Sequence, residues 1–251
     1  MADVDETRRG RWVAAGAFSL ALLTLVVAIP AMRPWLHALF PDVREPIYAR
    51  ASFATLAIAH LELVAVATAI AALIGIGIGI AVTREGGRGF APLARTLGTV
   101  GQTFPPVAVL ALAVPLLGYG AAPTLAALTI YAALPILEAT LSGLGAVPSD
   151  ARDAAEGLGF PAWRRLCAIE LPLAWPIMLT GLRNATIINI GTATIGSSVG
   201  ALSLGSPILE GLSASNPAYV IEGAVVVALL AITIDRWFDV LDDMTSVVRA
   251  G

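Results

Sequence analysis

The stretch Ser149–Pro172 reads SDARDAAEGLGFPAWRRLCAIELP and separates two long apolar segments of the chain. At its centre, Ala154 and Ala155 form a smooth patch of small side chains between two acidic residues, Asp153 and Glu156. A short helix that presents such a patch, edged with charge, has the form of a protrusion that fits a groove on a partner. The alternative is a solvated loop that only joins two apolar segments.

Local signals place helix boundaries within this stretch. Ser149 is predicted to cap a first helix, because a serine side chain satisfies free backbone N–H groups there. Gly157 and Gly159 are predicted to end it. Pro161 is then predicted to begin a second short helix, Ala162–Ala168, since proline suits the first helical turn.

The remainder of the chain is apolar enough to be a membrane protein. Of its 251 residues, 57% are hydrophobic and only 13% are charged, about half the charged share of a soluble domain. A membrane-spanning helix needs about 20 mostly apolar residues. Six stretches qualify, namely Trp12–Ala31, Ile58–Val82, Leu97–Leu117, Ala122–Leu141, Leu173–Val199 and Tyr219–Val240. We therefore expect an all-α polytopic membrane protein of about six helices, forming a single transmembrane domain over residues 1–251.

The basic residues predict the orientation in the membrane. With the N-terminus inside, twelve arginines fall on the cytoplasmic side and only three fall outside, at Arg33, Arg44 and Arg50. This asymmetry satisfies the positive-inside rule. Both termini are therefore predicted to be cytoplasmic. The cytoplasmic set comprises Arg8, Arg9, Arg11, Arg84, Arg88, Arg95, Arg152, Arg164, Arg165, Arg183, Arg236 and Arg249.

Composition also excludes several classes of function. All fifteen basic residues are arginine, and a P-loop needs a lysine to reach the β- and γ-phosphates, so this chain cannot carry that ATP site. The net charge of −3 argues against nucleic-acid binding. We find no catalytic dyad or nucleophile elbow, and His60 lacks a neighbouring His or Cys with which to bind a metal. We expect no catalytic residue, metal site or cofactor in this chain.

The polar stretch resembles a motif of the ABC importer permeases, E-A-A, three residues, G, nine residues, I-x-L-P. Here it reads Asp153-Ala154-Ala155, then Gly159, then Ile169-Glu170-Leu171-Pro172, with every spacing kept and Asp in place of the first Glu. The resemblance implies that the loop of about residues 142–172 is a cytoplasmic coupling loop that docks on an ATPase subunit. The residues implied in coupling are Asp153, Ala154, Ala155, Gly159, Arg164, Leu171 and Pro172.

From Gln102 to about Asp243 the chain is similar to permeases of the osmoprotectant branch, which carry glycine betaine, choline or carnitine. The similarity is carried by Gln102-Thr103-Phe104-Pro105-Pro106, Leu134-Pro135-Ile136-Leu137 and the run Gly181–Thr194. It implies import across the inner membrane by alternating access. The implied partners are ATPase subunits that bind ATP and Mg²⁺, a second permease chain, identical or paralogous, and a periplasmic or lipid-anchored substrate-binding protein.

The translocation route is predicted from polar and helix-breaking residues. Thr186, Asn189, Thr192 and Gly196 recur at three- and four-residue steps and share one helix face. They line the route, or they join helices by hydrogen bonds. Pro105 and Pro106 break the hydrogen bonds of the helix backbone. In a membrane such breaks are tolerated only where protein or water supplies new partners to the freed carbonyls, so these prolines are also assigned to the route.

Charged residues within the spans generate three further expectations. Arg183 and Glu138 have similar estimated depth and are predicted to pair. Asp235, beside Arg236, is assigned no special role. Glu62 and Glu222 lie near the outer ends of their spans and are expected to extend toward water.

Two alternative functions remain open at this point. The same machinery would also import an amino acid or another small zwitterion. A secondary transporter driven by an ion gradient is the alternative of a different class. We find no internal repeat of the kind that such transporters often carry.

Overall fold

The computed structural model describes residues 2–250 and the side chains of residues 8–245. Arg249, one of the predicted cytoplasmic arginines, lies outside the described side chains. The described chain is helical, without a β-strand. Its α-helices are α1 (Ala2–Ala28), α2 (Arg33–Leu39), α3 (Phe53–Thr83), α4 (Ala91–Thr103), α5 (Pro106–Leu117), α6 (Ala121–Gly145), α7 (Ser149–Gly157), α8 (Ala162–Arg165), α9 (Leu171–Thr192), α10 (Gly205–Ser213) and α11 (Pro217–Ala250).

The helices account for the predicted membrane spans. Five helical segments are long and apolar enough to cross a bilayer, and α4 with α5 forms a sixth candidate if the bent pair counts as one span. The prediction of an all-α protein with about six spans is therefore confirmed. The five segments are Arg8–Leu39, Phe53–Thr83, Ala121–Gly145, Ala162–Val199 and Pro217–Thr245.

The third predicted span, Leu97–Leu117 with breaks at Pro105 and Pro106, consists of two separate helices, α4 and α5. The chain bends by 93° between α4 and α5. Phe104 and Pro105 are extended there, with ψ angles of 134° and 139°. A residue before proline is driven out of the helical region, and the two consecutive prolines lack N–H donors. Gln102 then fixes the end of α4, because its side-chain amide donates to the carbonyl of Tyr131 in α6 at 2.8 Å.

The fifth span also changes along its length. It is α-helical only as far as Thr192 and continues as a 3₁₀-helix, Ala193–Val199. Gly200 ends this segment with a φ of +83°, a conformation that glycine adopts at little cost. Ile195 and Val199 of the 3₁₀-helix pack with Leu110 of α5.

Helix α6 is the centre of the bundle and packs on α3 and α9. Small residues allow these helices to approach closely. A Cβ atom at Gly75 would stand 2.9 Å from the carbonyl oxygen of Ala133, and one at Gly143 would stand 2.8 Å from that of Ala174. Only glycine therefore fits at these two contacts.

Buried polar groups connect the helices at other points. His60 is fully buried, and its Nε2 lies 3.0 Å from the carbonyl oxygen of Ile190 in α9. Glu222 of α11 is also buried, and its carboxylate accepts a hydrogen bond from the backbone N–H of Tyr48 at 3.0 Å. The expectation that Glu222 extends toward water is therefore wrong, whereas Glu62 is exposed. Glu222 is buried because the segment before α3 folds over it.

The first and last helices pack together. Trp12 and Trp237 meet edge to face with ring centroids 6.0 Å apart, and Arg11 forms an ion pair with Asp243 at 2.5 Å. These contacts place the start of α1 beside the last part of α11, on one side of the molecule. Which side of the membrane this is stays a prediction.

We expect Gly75→Val to destabilise the protein and Gly77→Val to leave its stability nearly unchanged. Both changes add the same side chain to the same helix, but a Cβ at Gly77 meets no atom within 4 Å. Overpacking the contact at Gly75 should cost about 1–3 kcal/mol and lower the unfolding temperature by about 5 °C. Thermal unfolding of the purified protein in one detergent measures both variants. Equal melting temperatures for the two variants would contradict the close packing of α3 on α6.

Candidate functional site

Helix α7, Ser149–Gly157, is the first of the two short helices that the sequence predicts in this stretch. Ala155 is buried, whereas Asp153 and Ala154 are exposed. The backbone N–H of Phe160 donates to the carbonyl of Ala155 at 3.0 Å and closes the end of the helix. Gly159 has a φ of +77°, which a residue with a side chain rarely adopts, so its predicted role as helix terminator is confirmed.

The start of α7 differs from its prediction. The helix begins at Ser149 itself, after Pro148, and no side chain caps it. The Ser149 hydroxyl donates to Asp150 at 3.2 Å, so the predicted serine cap is wrong. Because Ser149 already lies inside the helix, its hydroxyl is not placed to accept from the following backbone N–H groups.

The second short helix of the loop is continuous with α9. Helix α8 covers only Ala162–Arg165, and a π-helical turn, Leu166–Glu170, joins it directly to α9. The N–H of Leu171 donates to the carbonyl of Leu166, five residues earlier. Pro172 has no N–H and cannot continue the ordinary α-helical ladder, which favours the wider turn. The predicted separate helix Ala162–Ala168 is therefore corrected, and the loop enters the membrane span without a hinge.

A buried carboxylate holds this region together. Glu170 is 2% exposed. One oxygen accepts from Arg84, immediately after α3, at 2.7 Å, and the other accepts from Arg165 at 3.3 Å. Arg165 also pairs with Glu156 of α7 at 2.9 Å. These residues, Arg84, Glu156, Arg165 and Glu170, form what we call the loop junction, and it connects α7, α3 and α9 through charged hydrogen bonds.

A further arginine attaches α7 to α6. The guanidinium of Arg152 donates to the backbone carbonyl of Leu144 in the last turn of α6. A cation at the C-terminal end of a helix is favoured by the helix dipole. Helix α7 is therefore fixed to the ends of three spanning helices.

Sequence reasoning used Arg84 and Arg165 only for the orientation in the membrane and Glu156 only as a charge beside the alanine pair, and it gave Glu170 no role. The motif includes Glu170 as its unspecified position. The available signal was a carboxylate between Ile169 and Leu171, since a charge within an apolar run is buried only with partners. Its partner Arg84 is 86 residues away, so no local pattern identifies it.

An apolar hollow lies beside the exposed face of α7. It has a volume of about 380 Å³ and is lined by Ala151, Ala154, Ala155, Leu158, Phe160, Ala168, Ile169, Pro172 and Leu173. Leu158 is 76% exposed at its rim, and Trp163 nearby is 69% exposed. Arg164 lies over the ring of Phe160 at 4.5 Å. The hollow and its rim can receive apolar side chains from another polypeptide.

Two of the predicted route residues in the fifth span face neighbouring helices. Asn189 is fully buried, and its amide donates to the Thr68 hydroxyl of α3 at 3.0 Å. Gly196 is buried against Thr124 of α6, where a Cβ would stand 2.5 Å from the threonine methyl group. These contacts join helices, and the assignment of Asn189 and Gly196 to the route stays a prediction.

The other predicted route residues are partly accessible or lie at the bend. Thr186 and Thr192 are half-buried, and each hydroxyl donates to the carbonyl four residues earlier in its own helix, at 2.7 and 2.9 Å. Pro105 is exposed at the bend, and Pro106 begins α5. Their assignment to the route also stays a prediction.

The predicted pair of Arg183 with Glu138 is wrong. Arg183 pairs with two carboxylates of α11, Asp235 at 2.6 Å and Asp239 at 2.8 Å, while Glu138 pairs with Arg95 of α4 at 3.4 Å. Similar depth did not decide the pairing, because α11 packs against the side of α9 that carries Arg183. Asp235 therefore has a structural role that sequence reasoning did not give it.

Comparison with known proteins identifies similar sequences. The profile of the family described as "Binding-protein-dependent transport system inner membrane component" matches residues 73–246. The osmoprotectant import permease protein OsmY of Salmonella typhimurium is 42% identical over 160 residues, which cover 62% of this chain and 68% of the relative. The glycine betaine/carnitine/choline transport system permease protein OpuCB of Bacillus subtilis is 43% identical over 53% of this chain and 62% of the relative.

Solved structures with a similar fold are also transporter chains. A chain of the MetNI methionine ABC transporter, solved in inward-facing conformations, superposes with a TM-score of 0.66 and 20% identity over 74% of this chain and 93% of its own length. A chain of an amino acid ABC transporter solved with histidines gives a TM-score of 0.61 and 20% identity over 75% of this chain and 91% of its own. At this identity the likeness concerns the fold.

Proposed function

Because the chain belongs to the family of binding-protein-dependent transport system inner membrane components, we propose that it imports a small zwitterionic osmoprotectant with energy supplied by a separate ATPase. It is the permease component of an ABC importer and crosses the inner membrane several times. The observation that carries the proposal is the exposed helix α7, fixed to the spanning helices by the loop junction.

Helix α7 is the proposed docking site for the ATPase, which binds ATP and Mg²⁺. Asp153 and Ala154 provide its exposed face, and the apolar hollow beside it accepts side chains of the partner. The chain has no lysine for a P-loop, which agrees with a separate ATPase as the source of energy. A rigid connection matters, because movement of α7 reaches α3 and α9 only if the loop does not deform.

We expect Ala154→Arg to abolish binding of the ATPase, because a long charged side chain would occupy the centre of the docking face. The matched control is Glu85→Arg, which introduces the same residue at an exposed position in the turn after α3. Purification of the ATPase with the tagged permease measures assembly. Ala154→Arg should lower recovery by about tenfold or more, the equivalent of one lost interface hot spot, and Glu85→Arg should not. Undiminished recovery with Ala154→Arg would contradict docking on α7.

The proposed solute is a compound such as glycine betaine, choline or carnitine. The relatives named for these solutes or for osmoprotectants share up to 43% identity with this chain, whereas the methionine and amino acid transporter chains resemble it in fold at about 20% identity. An amino acid or another small zwitterion is therefore the second candidate. A substrate-binding protein on the outer side is proposed to deliver the solute.

Uptake by proteoliposomes tests the choice of solute. The permease would be reconstituted with the ATPase and substrate-binding protein of the same organism, and uptake of radiolabelled glycine betaine, choline, carnitine, methionine and histidine compared. We expect ATP-dependent uptake of at least one quaternary ammonium compound and none of the two amino acids. Uptake of only methionine or histidine would overturn the proposed solute and leave the permease assignment intact.

Two permease chains are proposed to enclose the route, as a homodimer or as a pair of paralogues. Thr186, Asn189, Thr192 and Gly196, with Pro105 and Pro106 at the bend, remain the route residues proposed from sequence. Alternating access requires these helices to rearrange. The hydrogen bond between Asn189 and Thr68 would then belong to one of the two arrangements.

A further inference from the structure

An open groove, lined by both apolar and polar residues, lies between α6, α9 and the last part of α11. Its volume is about 650 Å³. The polar side chains that line it are Glu138, Ser142, Thr180, Asn184 and Asp242, and we call it the inner groove. It is separate from the residues that sequence reasoning assigned to the route.

The inner groove extends into the membrane from the side that carries α7. With a rise of 1.5 Å per residue, Ser142 lies about 5 Å from the end of α6 and Glu138 about 10 Å. Asn184, thirteen residues from the start of α9, lies about 20 Å in. Exposed polar side chains at such depths do not face hydrocarbon; they face protein or a water-filled cavity.

Helix α9 has two faces with different properties. Asn189 is buried and bonded to Thr68, on the face that packs against α3. Thr180 and Asn184 are exposed on the opposite face, one helical turn apart. Within the described chain, the side-chain amide of Asn184 makes no hydrogen bond, so its donors and acceptor are free for water or a solute.

The charges of the inner groove are predominantly acidic. Glu138 and Asp242 contribute two carboxylates. The neighbouring Arg183 is already neutralised by Asp235 and Asp239. Glu138 forms an ion pair with Arg95 at 3.4 Å, and more than half of the Arg95 side chain is exposed.

We propose that the inner groove is the inner part of the solute route and that Glu138 and Asp242 attract the cationic group of a zwitterionic solute there. The proposal rests on the proposed function and specifies where the solute passes. Asn184, Thr180 and Ser142 provide hydrogen bonds that replace water. Carboxylates that water and Arg95 partly screen give attraction without a tight site, as release to the other side requires.

Cysteine labelling tests whether the inner groove holds water. In a Cys167→Ala background, which removes the exposed native cysteine, Thr180→Cys and Asn184→Cys would be compared with Leu73→Cys in lipid nanodiscs. Leu73 is 77% exposed on an apolar face of α3 and serves as the lipid-facing control. The reagent is 2-(trimethylammonium)ethyl methanethiosulfonate, which is itself a quaternary ammonium compound. We expect the two groove thiols to react about tenfold faster or more than Leu73→Cys, because only a hydrated thiol ionises.

Labelling of the groove thiols at the rate of Leu73→Cys would overturn the proposal. The labelling rate does not depend on transport. It therefore tests whether the inner groove is hydrated separately from whether the proposed function is correct. If the assembled importer takes up none of the quaternary ammonium compounds yet the groove thiols react rapidly, the solute assignment fails and a hydrated groove stands.

Neutralising the carboxylates tests the charge preference. We expect Glu138→Gln with Asp242→Asn to raise KM for the transported quaternary ammonium compound about tenfold. Glu138→Asp alone keeps both negative charges, so its KM should stay within a factor of about three of the value for the natural protein. Glu62→Gln, an exposed acid toward the other end of the molecule, is the control and should leave KM unchanged. An unchanged KM in the double variant would contradict the role of the carboxylates.

Discussion

A buried carboxylate holds the segment that contains α7 and α8 to the membrane-spanning bundle. Glu170 is 2% exposed and accepts hydrogen bonds from Arg84 and Arg165. Removal of either arginine would leave this carboxylate buried and uncompensated, which costs about 3–5 kcal/mol. The loop junction therefore makes α7 a rigid extension of the spans.

The continuous connection between the loop and α9 also ties any movement of α7 to the spans. The π-helical turn Leu166–Glu170 connects α8 to α9 without an intervening flexible segment. Displacement of α7 by an ATPase would therefore rotate or shift α9, and with it the inner groove on its exposed face. Close packing of α6 on α3 and α9 extends the movement to the centre of the bundle, since backbones in contact at Gly75 and Gly143 cannot slide independently.

Sequence reasoning identified the parts of this structure that depend on local composition. The lengths of the apolar stretches predicted the spans, and the pair Ala154 and Ala155, followed by Gly159, predicted α7. The bend at Pro105 was misjudged, because two prolines were treated as breaks within one span although the chain turns by 93°. Contacts between residues far apart in the sequence could not be predicted from local patterns. Arg84 is 86 residues from Glu170, and Arg183 is 52 residues from Asp235, so their pairing depends on helix packing that depth estimates do not contain.

In the proposed function, the loop junction transmits the energy of ATP hydrolysis from α7 to the spans. The most direct measurement is the amount of solute taken up per ATP hydrolysed, in proteoliposomes that contain the complete importer with Glu170→Gln. We expect this ratio to fall about tenfold while ATP hydrolysis continues, because Arg84 and Arg165 lose their buried anion and the loop is no longer held to α3. Glu85→Gln, which removes an exposed carboxylate in the turn after α3 and outside the loop junction, should keep the ratio of the natural protein. An unchanged ratio in Glu170→Gln would contradict the claim.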